Sequence, residues 1–250
     1  MKNRWRSVIF IDLDNTLLHG PFESAVFPVA FRELAAKSGL DEAEIRRRVL
    51  EENLRRQQTP GIAAVQAMDW GDILQTVAQD LGAELEADVQ GIVNTHAAPP
   101  YAVLLDDAGA VLRRLAREDR ALVVATNGLR KYQGPVLDAL GLTPLFTEIL
   151  TPDSHNALKQ AVAFYGDWPR KTQVQISVGD RYDDDVSAPK SFGFRSIWKP
   201  GVPLGPASTL APRLRPDAFQ YQAGQTIRPD AIIASLAELA AVIEQLEQQG

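Results

Sequence analysis

The 250-residue chain contains no cysteine, which excludes disulfide scaffolds, thiol nucleophiles and thiolate zinc sites. Histidine is almost as scarce: His19, His96 and His155 are the only three, and none lies at the close spacing of a zinc-binding pair. Positive charge is in deficit, with 26 Lys and Arg against 32 Asp and Glu and a formal net charge of −6. Binding to nucleic acid needs surplus cations to neutralise backbone phosphates, so no nucleic-acid partner is expected. No apolar run approaches the roughly 18 residues of a membrane span. The apolar stretch at residues 8–11, after the basic start of Lys2, Arg4 and Arg6, is too short for a signal segment and ends in Asp12. The expectation is a cytoplasmic protein with no membrane partner, acting on a small molecule. Any resident metal has to rest on oxygen ligands.

What is present is ordinary globular material, 45% hydrophobic and 23% charged, enough for one or two packed domains. Its apolar residues follow two rhythms. Residues 8–11 and 121–125 are unbroken apolar runs, the pattern of strands covered on both faces in a parallel sheet. Shorter strands are expected at 146–150, 174–178, 194–198 and 231–233. Helix-period sets accompany them: Val111, Leu112 and Leu115; Val136, Leu137 and Leu140; and Leu236, Leu239, Ile243 and Leu246 behind a Ser235/Glu238 capping box.

Residues 21–98 carry helical spacing alone, as in Val26, Ala30, Phe31 and Leu34, then Ile45 and Val49, then Ile73, Leu74 and Val77, then Val89, Ile92 and Val93. Asp41 and Glu44 form a capping-box-like start. The expected fold is α/β: a Rossmann-like three-layer core with a parallel sheet, residues 1–19 and 99–250. It is interrupted after the first strand by a bundle of four helices, residues 20–98. The proline-rich residues 200–229 read as a long connection before the last strand and helix.

Polar residues concentrate where strands end. The first strand runs into Asp12, Leu13, Asp14, Asn15 and Thr16; the strand at 121 into Thr126, Asn127 and Gly128; the strand at 174 into Gly179 and Asp180, with Asp183, Asp184 and Asp185 just beyond. Alone, each has a structural reading: an Asx turn, a plain turn and an acidic helix start. Together, at the carboxyl ends of parallel strands, they share the rim where ligands bind. Carboxylates about 4 Å apart repel by about 4 kcal/mol at an effective dielectric of 20 unless a cation separates them. An all-oxygen site points to Mg2+ or Mn2+.

With these motifs in this order, the chain resembles the haloacid dehalogenase-like superfamily of phosphohydrolases. Asp12, Asp14 and Thr16 match its first motif, Thr126 its second, and Gly179, Asp180, Asp184 and Asp185 its fourth. The Thr126-Asn127-Gly128 run, with Gln133 and Gly141 beyond it, is similar to the subgroup of pyrimidine 5'-nucleotidases and N-acylneuraminate 9-phosphatases. The helical insert is similar to that subgroup's cap domain. The third motif departs from the pattern: Thr151 stands before Pro152 where the family often has lysine, so Lys159 on the following helix takes the place, with Lys190 as fallback.

The resemblance implies an aspartyl-phosphate mechanism, with Asp12 as nucleophile and Asp14 as acid and then base. Asp12, the Asp14 carbonyl and Asp180 would hold Mg2+; Thr126, Asn127 and Lys159 would bind the phosphoryl oxygens; Asp184 and Asp185 would orient the metal waters or Lys159. An acid at Asp14 favours phosphoryl transfer over dehalogenation, since halide leaves without a proton. A sugar phosphomutase, or a non-catalytic binder suggested by the displaced lysine, stays open. Substrate selection is expected from His19, Phe22, Arg55, Arg56 and Trp70, although the Arg46–48 and Arg55–56 clusters beside Glu51 and Glu52 also read as a solvated helix face, and Trp70 as helical core. The chain is expected to act as a monomer or homodimer.

Overall fold

The computed structural model describes residues 5–201 and 224–249. Lys2, Arg4 and most of the 200–229 connection lie outside the described residues. In chain order the strands are β1 (Ser7–Ile11), β2 (Leu18–His19), β3 (Val103–Leu104), β4 (Arg120–Ala125), β5 (Glu148–Leu150), β6 (Val174–Gly179), β7 (Arg195–Trp198) and β8 (Ala231–Ile232). Six of them form one parallel sheet in the order β5-β4-β1-β6-β7-β8. β1 is central: Ile9 pairs with Leu122 of β4 on one side and with Ile176 of β6 on the other.

Every residue of β1 is buried, as its unbroken apolar run requires. Ile9 and Ile11 face a core shared with Leu112 and Leu115 of α6 (Ala108–Leu115) and with Leu239 and Ile243 of α11 (Leu239–Gln248). Val8 and Phe10 face the opposite layer, against Phe164, Tyr165, Trp168 and Phe194. Each such buried side chain contributes roughly 1.5–3 kcal/mol. At the amino end of the sheet, Arg120 and Glu247 form a buried ion pair that ties β4 to α11, with Arg120 Nε 2.8 Å from Glu247 Oε1. The Ser235/Glu238 capping box is present, but it opens a 3-10 turn, Leu236–Glu238, before α11 begins.

Between β2 and β3 lie α1 (Phe27–Ser38), α2 (Glu42–Gln58), α3 (Ala64–Ala67), α4 (Trp70–Asp80) and α5 (Val89–Thr95). Asp41 caps α2, accepting from Glu44 N at 2.7 Å. Their apolar stripes join one core, including Phe31, Leu34, Ile45, Val49, Ile73, Leu74, Val77 and Val93. Four helices were expected; α3, a fifth, is a single turn of four residues, too short to show a period. The antiparallel pairing of Leu18 with Leu104 and His19 with Val103, where the helical segment leaves and returns, is likewise too short to read as alternation. α7 (Arg130–Ala139) connects β4 to β5, α8 (Pro152–His155) and α9 (Trp168–Lys171) lie between β5 and β6, and α10 (Ala188–Ser191) precedes β7.

Candidate active site

The order β4-β1-β6 brings three strand ends side by side. Asp12 N still donates to Val178 O, at 2.9 Å, so Asp12 extends the ladder by one residue. The chain then turns sharply. Asn15 is left-handed at φ 60, and Leu17 N and Leu18 N return to Leu13 O. The turn directs Thr16 Oγ1 back to Asp12 Oδ2, at 3.2 Å.

Lys159 is the centre of the site's electrostatics. It is only 2% exposed, and its Nζ lies 2.9 Å from Asp12 Oδ1 and pairs with Asp185 as well. The expectation placed it on a helix, and this is corrected: α8 stops at Asn156, left-handed at φ 47, and Lys159 occupies the turn beyond. Asn127 Oδ1 holds that turn by accepting from Lys159 N at 3.0 Å. Thr151, in the slot where lysine was sought, instead opens α8, its N–H donating to Ser154 Oγ at 3.1 Å. Lys190 lies elsewhere, paired with Asp230 at 2.9 Å.

Asp12, Asp180 and Asp185 each offer a carboxylate oxygen, and these atoms lie within 4.8 Å of one another. Lys159 is shared between Asp12 and Asp185, so the cluster keeps uncompensated negative charge. The all-oxygen donor set fits a hard divalent cation. Asp184 is fixed from outside, by Gln160 Nε2 at 3.0 Å and Arg181 Nε at 2.8 Å, whereas Asp183 is exposed. These acids are carried by a π-helical turn, Tyr182–Ser187, in which Asp184 and Asp185 are buried. Gly179 permits the arrangement, because a Cβ there would fall inside the Asp185 carboxyl.

Burial, reinforced by Asp12, pushes Asp14 from its ordinary 3.8 up to about 7, against a hydrogen bond from Gln133 Nε2 at 2.7 Å that pulls the other way. Burial and then Asp12 likewise raise Asp180 to about 6. Burial opposes the charge on Lys159, but Asp12, Asp185 and Asp184 outweigh it and hold the ammonium well above the usual lysine value. Thr126 is buried at the end of β4 and its Oγ1 accepts from Gly128 N at 3.0 Å.

The residues suggested for substrate selection do not gather in one place. His19 is exposed beside Asn15 Oδ1, at 3.1 Å, while Phe22 and Trp70 pack with Phe27 in an aromatic cluster. Arg55 pairs with Glu52 on the solvated face of α2. Arg56 departs from the solvated-face reading: it is 7% exposed and bonds Glu52, Asp72, Thr76 Oγ1 and Gln66 O, because α4 packs over it. The sequence reading missed the Gln133 contact to Asp14, the Gln160 contact to Asp184, and the Trp198 Nε1 donation to Asp180 O at 2.8 Å. No local pattern marks them, since each contact joins separate elements.

An oxygen-rich acid cluster with one buried lysine, at the mouth of a parallel α/β sheet, has the make-up of a hydrolase site. The family model for haloacid dehalogenase-like hydrolases matches residues 7–193, from β1 through α10, and the chain belongs to that family. Solved structures with the same fold include a HAD phosphatase from Thermococcus onnurineus, 22% identical with a TM-score of 0.68, covering 95% of this chain and 97% of that one. The putative HAD-hydrolase YfnB from Bacillus subtilis, bound to magnesium, is 18% identical with a TM-score of 0.60 over 96% and 99% of the two chains. The L-2-haloacid dehalogenase from Xanthobacter autotrophicus is 19% identical with a TM-score of 0.60 over 96% and 98%. A search among curated proteins finds no match.

Proposed function

We propose that the chain is a cytoplasmic, Mg2+-dependent phosphatase, monomeric or homodimeric, that hydrolyses a small phosphorylated metabolite such as a nucleotide or sugar phosphate. The observation that carries this reading is Asp14, a carboxyl two residues beyond Asp12 that Gln133 Nε2 holds at 2.7 Å beside the acid cluster, where burial and then Asp12 push its pKa up. A leaving alkoxide needs a proton and a halide does not, so the acid favours phosphoryl transfer among relatives that include dehalogenases.

In this reading an Asp12 carboxylate oxygen attacks phosphorus, the bond to the leaving oxygen breaks, and Asp14 passes its proton to that oxygen. Asp14 then takes a proton from the water that attacks the aspartyl-phosphate, releasing inorganic phosphate and restoring Asp12. Lys159, Thr126 and the Asn127 amide steady the phosphoryl oxygens during both transfers. Asp12, Asp180 and the Asp14 carbonyl would hold Mg2+, with Asp185 close enough to join them, and the ion would neutralise charge on the phosphoryl group. Residues 20–98 act as a cap over a core of residues 1–19 and 99–250. The displaced lysine is the ground for a non-catalytic binder, and the 2.9 Å contact of Lys159 with Asp12 supports the catalytic reading against it.

The test is Mg2+-dependent turnover of p-nitrophenyl phosphate that vanishes in Asp12→Asn. A panel of nucleoside monophosphates, sugar phosphates and acylneuraminate phosphates then names the substrate. A folded protein that turns over none of them refutes the reading, and an isomerised sugar phosphate without free phosphate makes the chain a mutase instead.

A further inference from the structure

Asp14 has one side-chain hydrogen bond among the described residues, from Gln133. Gln133 is 5% exposed and lies in the first turn of α7, its own N–H bonded to Leu129 O at 3.0 Å. Its amide is packed so closely on Gly128 that a Cβ there would collide with it, which leaves the side chain little freedom to turn away from Asp14.

The two residues before it reach in another direction. Tyr132, 3% exposed, donates from its hydroxyl to Asp69 Oδ1 at 2.6 Å and accepts there from Gly71 N at 3.0 Å. Lys131 Nζ lies 2.7 Å from the other Asp69 oxygen, and Lys131 O accepts from Gln90 Nε2 at 2.7 Å. Phe22 adds an edge-on ring contact to Tyr132 at 5.2 Å. Asp69 and Gly71 belong to the start of α4, and Gln90 to α5. Successive residues on a helix point about 100° apart, so one rigid turn grips the helical segment with Lys131 and Tyr132 and the acid with Gln133.

We infer that Gln133 is a positioning residue for Asp14, and that the Tyr132–Asp69 clasp makes this positioning depend on how the helical segment is seated on the core. The inference rests on the phosphatase reading above, in which Asp14 must point at the leaving oxygen. A shift of about 1 Å in the first turn of α7 carries a 2.7 Å hydrogen bond beyond useful length. Misplacement on that scale is enough to cost a proton transfer.

Two aryl esters of nearly the same shape separate positioning from mere stability. Phenyl phosphate expels a basic phenolate that needs the proton, whereas p-nitrophenolate leaves without it. With the full chain and Mg2+, Gln133→Met is expected to lower kcat/KM for phenyl phosphate about ten- to hundredfold, the scale of a catalytic group misplaced by about 1 Å. For p-nitrophenyl phosphate the loss stays below about threefold. Tyr132→Phe should move the ratio of the two substrates in the same direction, and adding it to Gln133→Met should cost nothing further, because both act through one path.

Equal losses on the two esters, or losses that multiply in the double variant, would overturn the inference while leaving the phosphatase reading intact. If Gln133→Met does not fold, Gln133→Asn, whose shorter amide falls short of Asp14, gives the same readout. A folded wild-type chain inactive on both esters overturns the phosphatase reading itself, and this inference with it.

Discussion

Replacing Asp14 with asparagine isolates the group on which the proposed chemistry turns. The substitution keeps the shape and leaves an amide oxygen to accept from Gln133, now 2.7 Å from the carboxylate. It removes only the proton and the charge. An ordinary aspartate with a value of 3.8 is protonated at pH 7 in roughly one molecule in 1,600, whereas one held at about 7, as in the metal-free site, is protonated in about half, so the gain in the acid form is at most near 10³-fold. General acid catalysis is itself worth about 10²–10⁴. In Asp14→Asn, kcat/KM for an alkyl phosphate should therefore fall by about that factor, while p-nitrophenyl phosphate should lose at least about tenfold less.

The same residue predicts a pH dependence. Wild-type kcat/KM on alkyl phosphates should decline once Asp14 ionises, at a pH above the ordinary 3.8 and no higher than about 7, because a bound cation offsets the push from Asp12 and Asp180 but not the burial. That limb should be missing from the variant. Stability supplies an independent check. A carboxyl raised in the folded state is neutral in both states at low pH, and it costs stability as pH climbs from 3.8 through about 7, where the unfolded chain ionises first. At pH 8 in EDTA, Asp14→Asn should therefore be more stable than wild type, by up to about 4 kcal/mol as an upper bound. A variant that loses the same factor on both esters, or that melts below wild type at pH 8 in EDTA, would refute the reasoning.

Three further outcomes follow from the same site. Lys159→Met strips the cation from Asp12 and Asp185, so urea melts without Mg2+ should show a loss of about 3–5 kcal/mol and turnover should fall at least about tenfold; stability and rate both unchanged would show that another cation does this work. Gly179→Ala drives a methyl into the Asp185 carboxyl, at a cost of about 1–3 kcal/mol, and calorimetry should show weakened Mg2+ binding; an undiminished affinity would remove Asp185 from the site. Lys190→Ala cuts a partly exposed pair with Asp230, so it should cost no more than about 1 kcal/mol in a thermal melt, with wild-type kcat; a large drop in turnover would reopen its claim to be the motif lysine.

The amino-acid sequence by itself determined the parts whose signal is local. The runs at 8–11 and 121–125 read as buried strands because they are short, rich in β-branched residues and apolar at every position, and residues 21–98 read as helical because their apolar residues return every three or four. The acids were legible for a related reason: Asp12 and Asp180 stand directly after β1 and β6, at strand carboxyl ends, with Asp14, Asp184 and Asp185 a few residues beyond. β2, β3 and α3, of two to four residues, are too short to show a period and were not read from the sequence.

Tertiary structure alone decided what each polar side chain meets. Lys159 and Lys190 are alike as sequence, yet one is enclosed between Asp12 and Asp185 and the other bonds Asp230 near the surface. Gln133 reaches Asp14, 119 residues away, only because β4 lies beside β1. Arg56 is buried and Arg55 is not because α4 packs over one side of α2. Periodicity reports the backbone's own geometry, whereas burial, ion pairing and proton affinity depend on neighbours that strand order and helix packing bring in from distant parts of the chain.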